Sequence, residues 1–214
     1  MSIAAIVPAY NEEKTIGKIL EVLKEVEMLD EIIVVSDGST DRTALVARNY
    51  CVRLIELPQN VGKGDAVMVG VNNTDADVIL MVDADLVGLN KNHVSQLLKP
   101  VINEEADMTI GIFKKGRGST DFAQKVAPFL SGQRAIKRTL FDKLKKYKVK
   151  DYGIETALTI LTNRENLKVK EVFLIDLTHV MKEEKLGFMQ GFCSRLKMYC
   201  EIVFCLIKLK LEVF

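Results

Sequence analysis

The 214-residue sequence has no tryptophan, no pair of cysteines at CxxC spacing and no long uninterrupted apolar run. A membrane-crossing helix needs about 18 or more such residues, so none is evident. The four cysteines, Cys51, Cys193, Cys200 and Cys205, follow no metal-ligand spacing. They read as reduced, buried, intracellular thiols. The start, MSIAAIVPAYNEE, lacks a basic segment and meets a proline and acids early, so it does not read as a signal peptide. The expected location is cytoplasmic. Internal repeats and low-complexity linkers are missing too.

Charge of one sign is also lacking overall: 30 Lys and Arg face 29 Asp and Glu, for a net charge of +1. The halves differ, however. Residues 1–107 hold 18 acids and 9 bases, and residues 108–214 hold 11 acids and 21 bases. Such asymmetry suggests interaction surfaces of opposite sign. The 48% apolar content excludes disorder, and the length fits one domain.

The first half alternates strand and helix patterns. Short apolar runs at 3–7, 31–36, 52–56, 77–82 and 107–113 read as strands. Helices are expected over 13–27, from a Ser39 or Thr40 cap to Asn49, from the Gly62-Lys63-Gly64 turn to about Val71, and over 93–103. Nearly all-apolar strands between amphipathic helices indicate an α/β fold with a mostly parallel sheet covered on both faces. In the second half, 131–147 is expected to contain a helix, 153–163 reads as another, 169–178 as strand, and 188–214 as a C-terminal helical extension.

Such sheets bind ligands at the carboxyl ends of their strands. The polar clusters 8–12, 37–41 and 83–85 all follow predicted strands. Asp83-Ala84-Asp85 places two carboxylates at one strand end, hard oxygen ligands that suit Mg²⁺ or Mn²⁺ and, through it, a diphosphate. Two solvated aspartates in a turn would look the same. Tyr10 offers an aromatic face to a base, and Asp37 an acceptor for a base N–H. Lys63, between glycines, can approach a base or ribose closely, although GKG is also an ordinary turn before a helix.

PAYNEE, VVSDGSTDRT, NVGKGDA and MVDADL stand in that order at strand ends. Together they resemble the successive motifs of family 2 glycosyltransferases, strongly over residues 3–90. The resemblance implies a single Rossmann-like nucleotide-diphospho-sugar transferase domain of GT-A type spanning 1–214. Residues 1–107 would bind the donor, 108–187 the acceptor, and 188–214 would form the extension. It implies Pro8, Ala9, Tyr10, Glu12, Asp37, Lys63, Asp83 and Ala84 at the donor nucleotide, with Asp85 at the metal and the reacting diphosphate. SGQRAIKR, KDYGIETALTIL and IDLTHVMKEEKLG resemble later segments of glucosyl-3-phosphoglycerate synthases and polyprenyl-phosphate sugar transferases. On that match Glu155 is the carboxylate near the reacting centre and a catalytic residue, Arg134 belongs to the acceptor side, and His179 joins Asp83 and Asp85 as a metal ligand. An imidazole in the set suits Mn²⁺ better than Mg²⁺. Taken alone, His179 reads equally as a structural residue and Glu155 as a helix-start acid.

The basic loop 114–120 is either a solvated hairpin or an acceptor-phosphate site, with Arg117 binding bidentately beside Ser119 and Thr120. The run 143–150 is a solvated helix face. No aromatic platform accompanies it, so nucleic acid is not an expected partner. The stretch 202–214 packs on the domain, forms a homodimer interface or lies on a membrane surface.

The expected activity is metal-dependent, inverting transfer of a sugar from a nucleotide-diphospho-sugar. The donor is UDP-glucose, with GDP-mannose as rival. The acceptor is a small phosphorylated acid such as 3-phosphoglycerate, or else a polyprenyl phosphate. Outside this class stand a nucleotidyltransferase, whose glycine-rich loop is replaced here by PAYNEE, and a non-catalytic nucleotide-sugar-binding module.

Overall fold

The computed structural model describes residues 1–114, 131–144 and 153–179. Nine strands and six helices are formed by these residues. They are β1 (Ile3–Ala9), α1 (Ile16–Lys24), β2 (Glu31–Asp37), α2 (Thr43–Arg48), β3 (Arg53–Leu57), α3 (Lys63–Asn72), β4 (Val78–Met81), β5 (Leu86–Val87), α4 (Lys91–Ile102), β6 (Met108–Lys114), β7 (Arg134–Lys137), α5 (Arg138–Leu144), α6 (Ile154–Arg164), β8 (Val169–Ile175) and β9 (Thr178–His179). A seven-stranded sheet has the order β3-β2-β1-β4-β7-β6-β8, and β5 pairs with β9 in a separate two-stranded ladder. The sheet is mostly parallel, as expected. Only β7 is reversed, running antiparallel to β4 and to β6, whereas β6 and β8 are parallel.

Apolar side chains alternate across β1 and build two cores. Ile3, Ala5, Val7 and Ala9 join α1 and α4 on one face. Ala4 and Ile6 join α3, α5 and α6 on the other. Every β1 residue is therefore buried, which is why this strand reads as a continuous apolar run. The strand continues through Pro8, two residues beyond the expected end. The Ile6 carbonyl accepts from Val82 N as β4 ends, so Pro8 lies on the same edge past the ladder, where no N–H is needed.

The helix expected within 131–147 is α5, which starts at Arg138, and it is preceded by a strand the sequence does not announce, β7 at residues 134–137. Four residues are too few to show a period. Pairing with strands on both sides overrides the helical pattern that follows. Ser39 and Thr40 do not cap α2. That helix begins at Thr43, whose N–H is accepted by Asp41 Oδ1 at 2.9 Å. Cys51 is exposed, at φ +51° in the turn before β3, rather than buried.

Cys193, Cys200 and Cys205 lie outside the described residues, as do Arg117, Ser119, Thr120 and the C-terminal segment given a helix, a dimer interface or membrane contact. No helix among the described residues is long and apolar enough to cross a membrane.

Helix α3 lies close enough on the sheet to require glycine. A Cβ on Gly70 would stand 2.5 Å from Cγ2 of Ile6 and 3.3 Å from Cγ2 of Val35. Both neighbours are fully buried and branched at Cβ, so neither can rotate aside. Overpacking of this kind costs about 1–3 kcal/mol and outweighs the roughly 1 kcal/mol alanine gains as a helix former. Gly70→Ala should therefore lower the melting temperature, at about 2–4 °C per kcal/mol for a chain of this size. Gly64→Ala, in the same helix and facing Ile154 at an ordinary 3.7 Å, should be neutral or raise it.

Candidate active site

Because all but one of the sheet strands are parallel, the residues after β1, β2, β4, β6 and β8 gather at one edge. The reversed β7 begins there as well, which brings residues 131–133 to the same place. The turns after β1 and β2 clasp each other. Asn11, at φ +55°, accepts from Thr40 N at 2.8 Å. Ser39 Oγ accepts from Asn11 N and donates to the Ala9 carbonyl. Glu12 N donates to Thr43 Oγ1 at 2.7 Å, and Glu13 N to Asp41 Oδ2 at 3.1 Å. Burial opposes ionisation of Asp41, but its bonds from Thr43 and Glu13 prevail and hold it below the usual carboxylate range.

This clasp carries several residues expected at the donor. Tyr10 projects with 48% of its surface exposed. Pro8, Ala9 and Ala84 are buried, and Glu12 accepts from Thr15 Oγ1 at 3.0 Å. Asp37 is 3% exposed and accepts from Val61 N at 2.7 Å and Gly62 N at 3.0 Å, one bond to each oxygen. It thereby fixes the turn that launches α3 and Lys63.

Lys63, expected at the donor nucleotide, meets two carboxylates at this edge. Its Nζ lies 2.6 Å from Asp83 Oδ1 and 2.7 Å from Glu155 Oε1. Burial works against the ammonium, but Asp83 and then Glu155 outweigh it, and the pKa rises. Gly132 covers this pair: a Cβ there would stand 2.6 Å from Asp83 Oδ2 and would also strike Lys63 Nζ. Sequence reasoning placed SGQR near the acceptor and missed that its glycine packs against the ends of the Lys63 and Asp83 side chains, which a Cβ would displace.

Beside this pair, Asp85 Oδ1 lies 2.9 Å from His179 Nδ1. Ligand atoms of Asp83, Asp85 and His179 all fall within 4.8 Å of one another, and all three side chains are part-exposed. His179 comes from β9, 94 residues along the chain, placed by pairing with Leu86 of β5. Phe113 packs on its ring at 5.0 Å between centroids. Two carboxylates and an imidazole are a fitting donor set for Mn²⁺ or Mg²⁺, with the imidazole favouring Mn²⁺.

Arg134, read as an acceptor contact, has no exposed surface. Its Nε donates to the Ser131 carbonyl at 2.8 Å, and its other nitrogens lie near Met108 Sδ and Thr159 Oγ1. Burial brings its pKa down to about 10, opposed by the Glu155 charge, so it stays cationic at neutral pH. Thr159 Oγ1 donates to the Glu155 carbonyl at 2.9 Å. Arg134 thus joins the segment bearing Gly132 to the helix bearing Glu155.

Residues 4–167 match the family model for glycosyl transferase family 2. The chain belongs to this family. It is 30% identical over 214 residues to a dolichyl-phosphate beta-glucosyltransferase of Trichomonas vaginalis, covering 79% of the chain and 64% of that relative. The chain thus spans slightly less than two thirds of the relative's length. Among solved structures it is similar to glucosyl-3-phosphoglycerate synthase from Mycobacterium tuberculosis in complex with Mn²⁺, UDP and glucosyl-3-phosphoglycerate. The TM-score is 0.66 at 25% identity, over 84% of this chain and 72% of that one. The same enzyme with Mg²⁺ and UDP gives 0.67 at 25% identity, over 84% and 71%. The observed architecture is accordingly the GT-A fold.

The central ion pair has a measurable signature. Lys63→Met leaves the carboxylates of Asp83 and Glu155 facing each other without a cation, and they repel while both are ionised. The raised pKa of Lys63 means that what the ammonium contributes is present at neutral pH and lost only at strongly alkaline pH. The stability deficit of Lys63→Met against wild type, read from urea midpoints, should therefore be present at pH 7 and hold up to about pH 9, below the ordinary lysine range. The absence of a deficit at pH 7 would overturn the assignment.

Proposed function

We propose that the chain transfers glucose from UDP-glucose to a phosphorylated acceptor, with inversion at the anomeric carbon and with Mn²⁺ or Mg²⁺ bound. The observation that carries this reading is the convergence of Asp83, Asp85 and His179 beside the Lys63–Glu155 pair at the ligand-binding edge of the sheet. Asp83, Asp85 and His179 would hold the metal, which when bound offsets charge developing on the departing diphosphate. Tyr10 offers the base an exposed aromatic face, and Asp37 retains acceptor capacity beyond its two backbone bonds. Uridine and glucose are favoured because the relatives named above are a UDP-bound glucosyl enzyme and a beta-glucosyltransferase.

The primary acceptor reading is a small phosphorylated acid such as 3-phosphoglycerate, supported by the structural likeness to an enzyme of that class. Its hydroxyl needs a base, and Glu155 stands at the site for that role once Lys63 lets it go. The second reading is a polyprenyl phosphate, favoured by the 79% chain coverage against the dolichyl-phosphate enzyme. A phosphate acceptor is already anionic, needs little base catalysis and leaves Glu155 to position the sugar. On either reading Arg117, Ser119 and Thr120 remain proposed acceptor contacts.

A donor-by-acceptor screen with Mn²⁺ tests the proposal. UDP-glucose should bind and turn over, and GDP-mannose should do so poorly. Asp85→Ala and His179→Ala should each lower kcat/KM about 100-fold or more while the circular dichroism is kept. If calorimetry detects no nucleotide sugar bound in the presence of Mn²⁺, the reading is wrong. The two acceptor classes separate on Glu155→Gln, which should abolish transfer to a hydroxyl and leave transfer to a phosphate largely intact.

A further inference from the structure

The ladder that places His179 is too small to act alone. It consists of two residue pairs, Leu86 with His179 and Val87 with Thr178. Isolated two-stranded ribbons are marginal even when much longer. The preceding turn, 175–177, must hold His179 against Asp85.

That turn is pinned from outside the site. His93 on α4 is 4% exposed, and its Nε2 lies 2.9 Å from the Ile175 carbonyl. A carbonyl only accepts, so Nε2 carries the proton. Asn90 caps the helix, its Oδ1 accepting from His93 N at 3.1 Å, which fixes where the imidazole starts from. Gly88, at φ +89°, abuts the Asp176 carbonyl so closely that a Cβ would overlap it. Asp176, at φ +61°, donates its N–H to the Lys114 carbonyl at 3.0 Å, and Leu177 is fully buried behind it.

We propose that His93 is a positioning residue for His179. Through Nε2 it fixes the turn 175–177 and so sets the imidazole of His179 beside Asp85. The inference rests on the metal-site reading above for its consequence but not for its geometry. As a purely stabilising residue His93 is a poor choice. Its Nδ1 is buried with no hydrogen-bond partner, a cost that an apolar side chain would avoid. What histidine supplies and leucine cannot is a donor reaching across to Ile175.

The chain has two histidines, so replacing His93 leaves His179 as a single ring signal. NMR of the imidazole protons at fixed pH, on metal-free protein, reads its position under Phe113. Glutamine can present a donor near the place of Nε2, whereas leucine cannot. His93→Gln should leave the His179 resonance in place. His93→Leu should shift and broaden it, and should weaken Mn²⁺ binding, measured by calorimetry on the full chain, about 10-fold. In a His179→Ala background, His93→Leu should have no further effect on Mn²⁺.

An unmoved His179 signal in His93→Leu, or an equal loss of Mn²⁺ affinity in the His179→Ala background, would overturn the proposal. Should His93→Leu fail to fold, Gly88→Ala disturbs the same turn from its other side and must move the same resonance. If wild type binds no Mn²⁺ while His93→Leu still moves the His179 signal, the metal reading fails and the positioning role stands.

Discussion

Lys63 stands between two carboxylates, Asp83 and Glu155, and the site depends on that arrangement. Asp83 comes from the end of β4, in the middle of the sheet. Glu155 comes from the first turn of α6, more than 70 residues later. Without a cation between them the two acids would repel. With it, the early and late parts of the chain are joined electrostatically at the edge where parallel strands bring ligands. Asp37 sets the base of this arrangement by clamping the turn before α3. Gly132 permits its roof, since a side chain there would displace the pair.

The same ion pair gives Asp83 two claims on its charge. One is the Lys63 ammonium and the other is the cluster with Asp85 and His179. A cation held by that cluster would draw on a carboxylate already partly neutralised, so Asp85 and His179 matter more to the metal than a count of aspartates suggests. Their 2.9 Å contact shows the imidazole already seated against its partner, with the Phe113 ring packed on it at a tilt. The chain reaches this placement through a short ladder and a pinned turn, so contacts remote from the acids, such as that of His93 with Ile175, bear on the geometry of the site.

Much of this was legible in the sequence because it is local. The first four sheet strands, and the acids and lysine that follow them, are each announced by a short apolar run ending in turn residues. The order of those motifs places Asp37, Lys63, Asp83 and Asp85 at one edge. What was not legible depends on pairing between distant segments. Residues 134–137 carry no strand signal of their own and become β7 because β4 and β6 leave a slot between them. Once β7 runs backwards, Gly132 necessarily arrives at the active edge and Arg134 is drawn inside. No period or composition encodes either result. The partnership of Lys63 with Glu155 was hidden for the same reason: each residue has an adequate local reading, one as a turn lysine and the other as a helix-start acid.

The buried Arg134 bears on how this edge of the sheet is built. Its guanidinium has no exposed surface, and it fixes two things that face the edge. It holds the Ser131 carbonyl, and with it the Gly132 segment, and it lies against Thr159, whose hydroxyl bonds the Glu155 carbonyl. The Glu155 charge acts back on the guanidinium, opposing the burial that lowers its pKa. Lys63 pairs with the same carboxylate. Lys63 is partly exposed and can turn to a new partner, whereas Arg134 is locked in place, so the early and late parts of the chain meet at Glu155 as one unit.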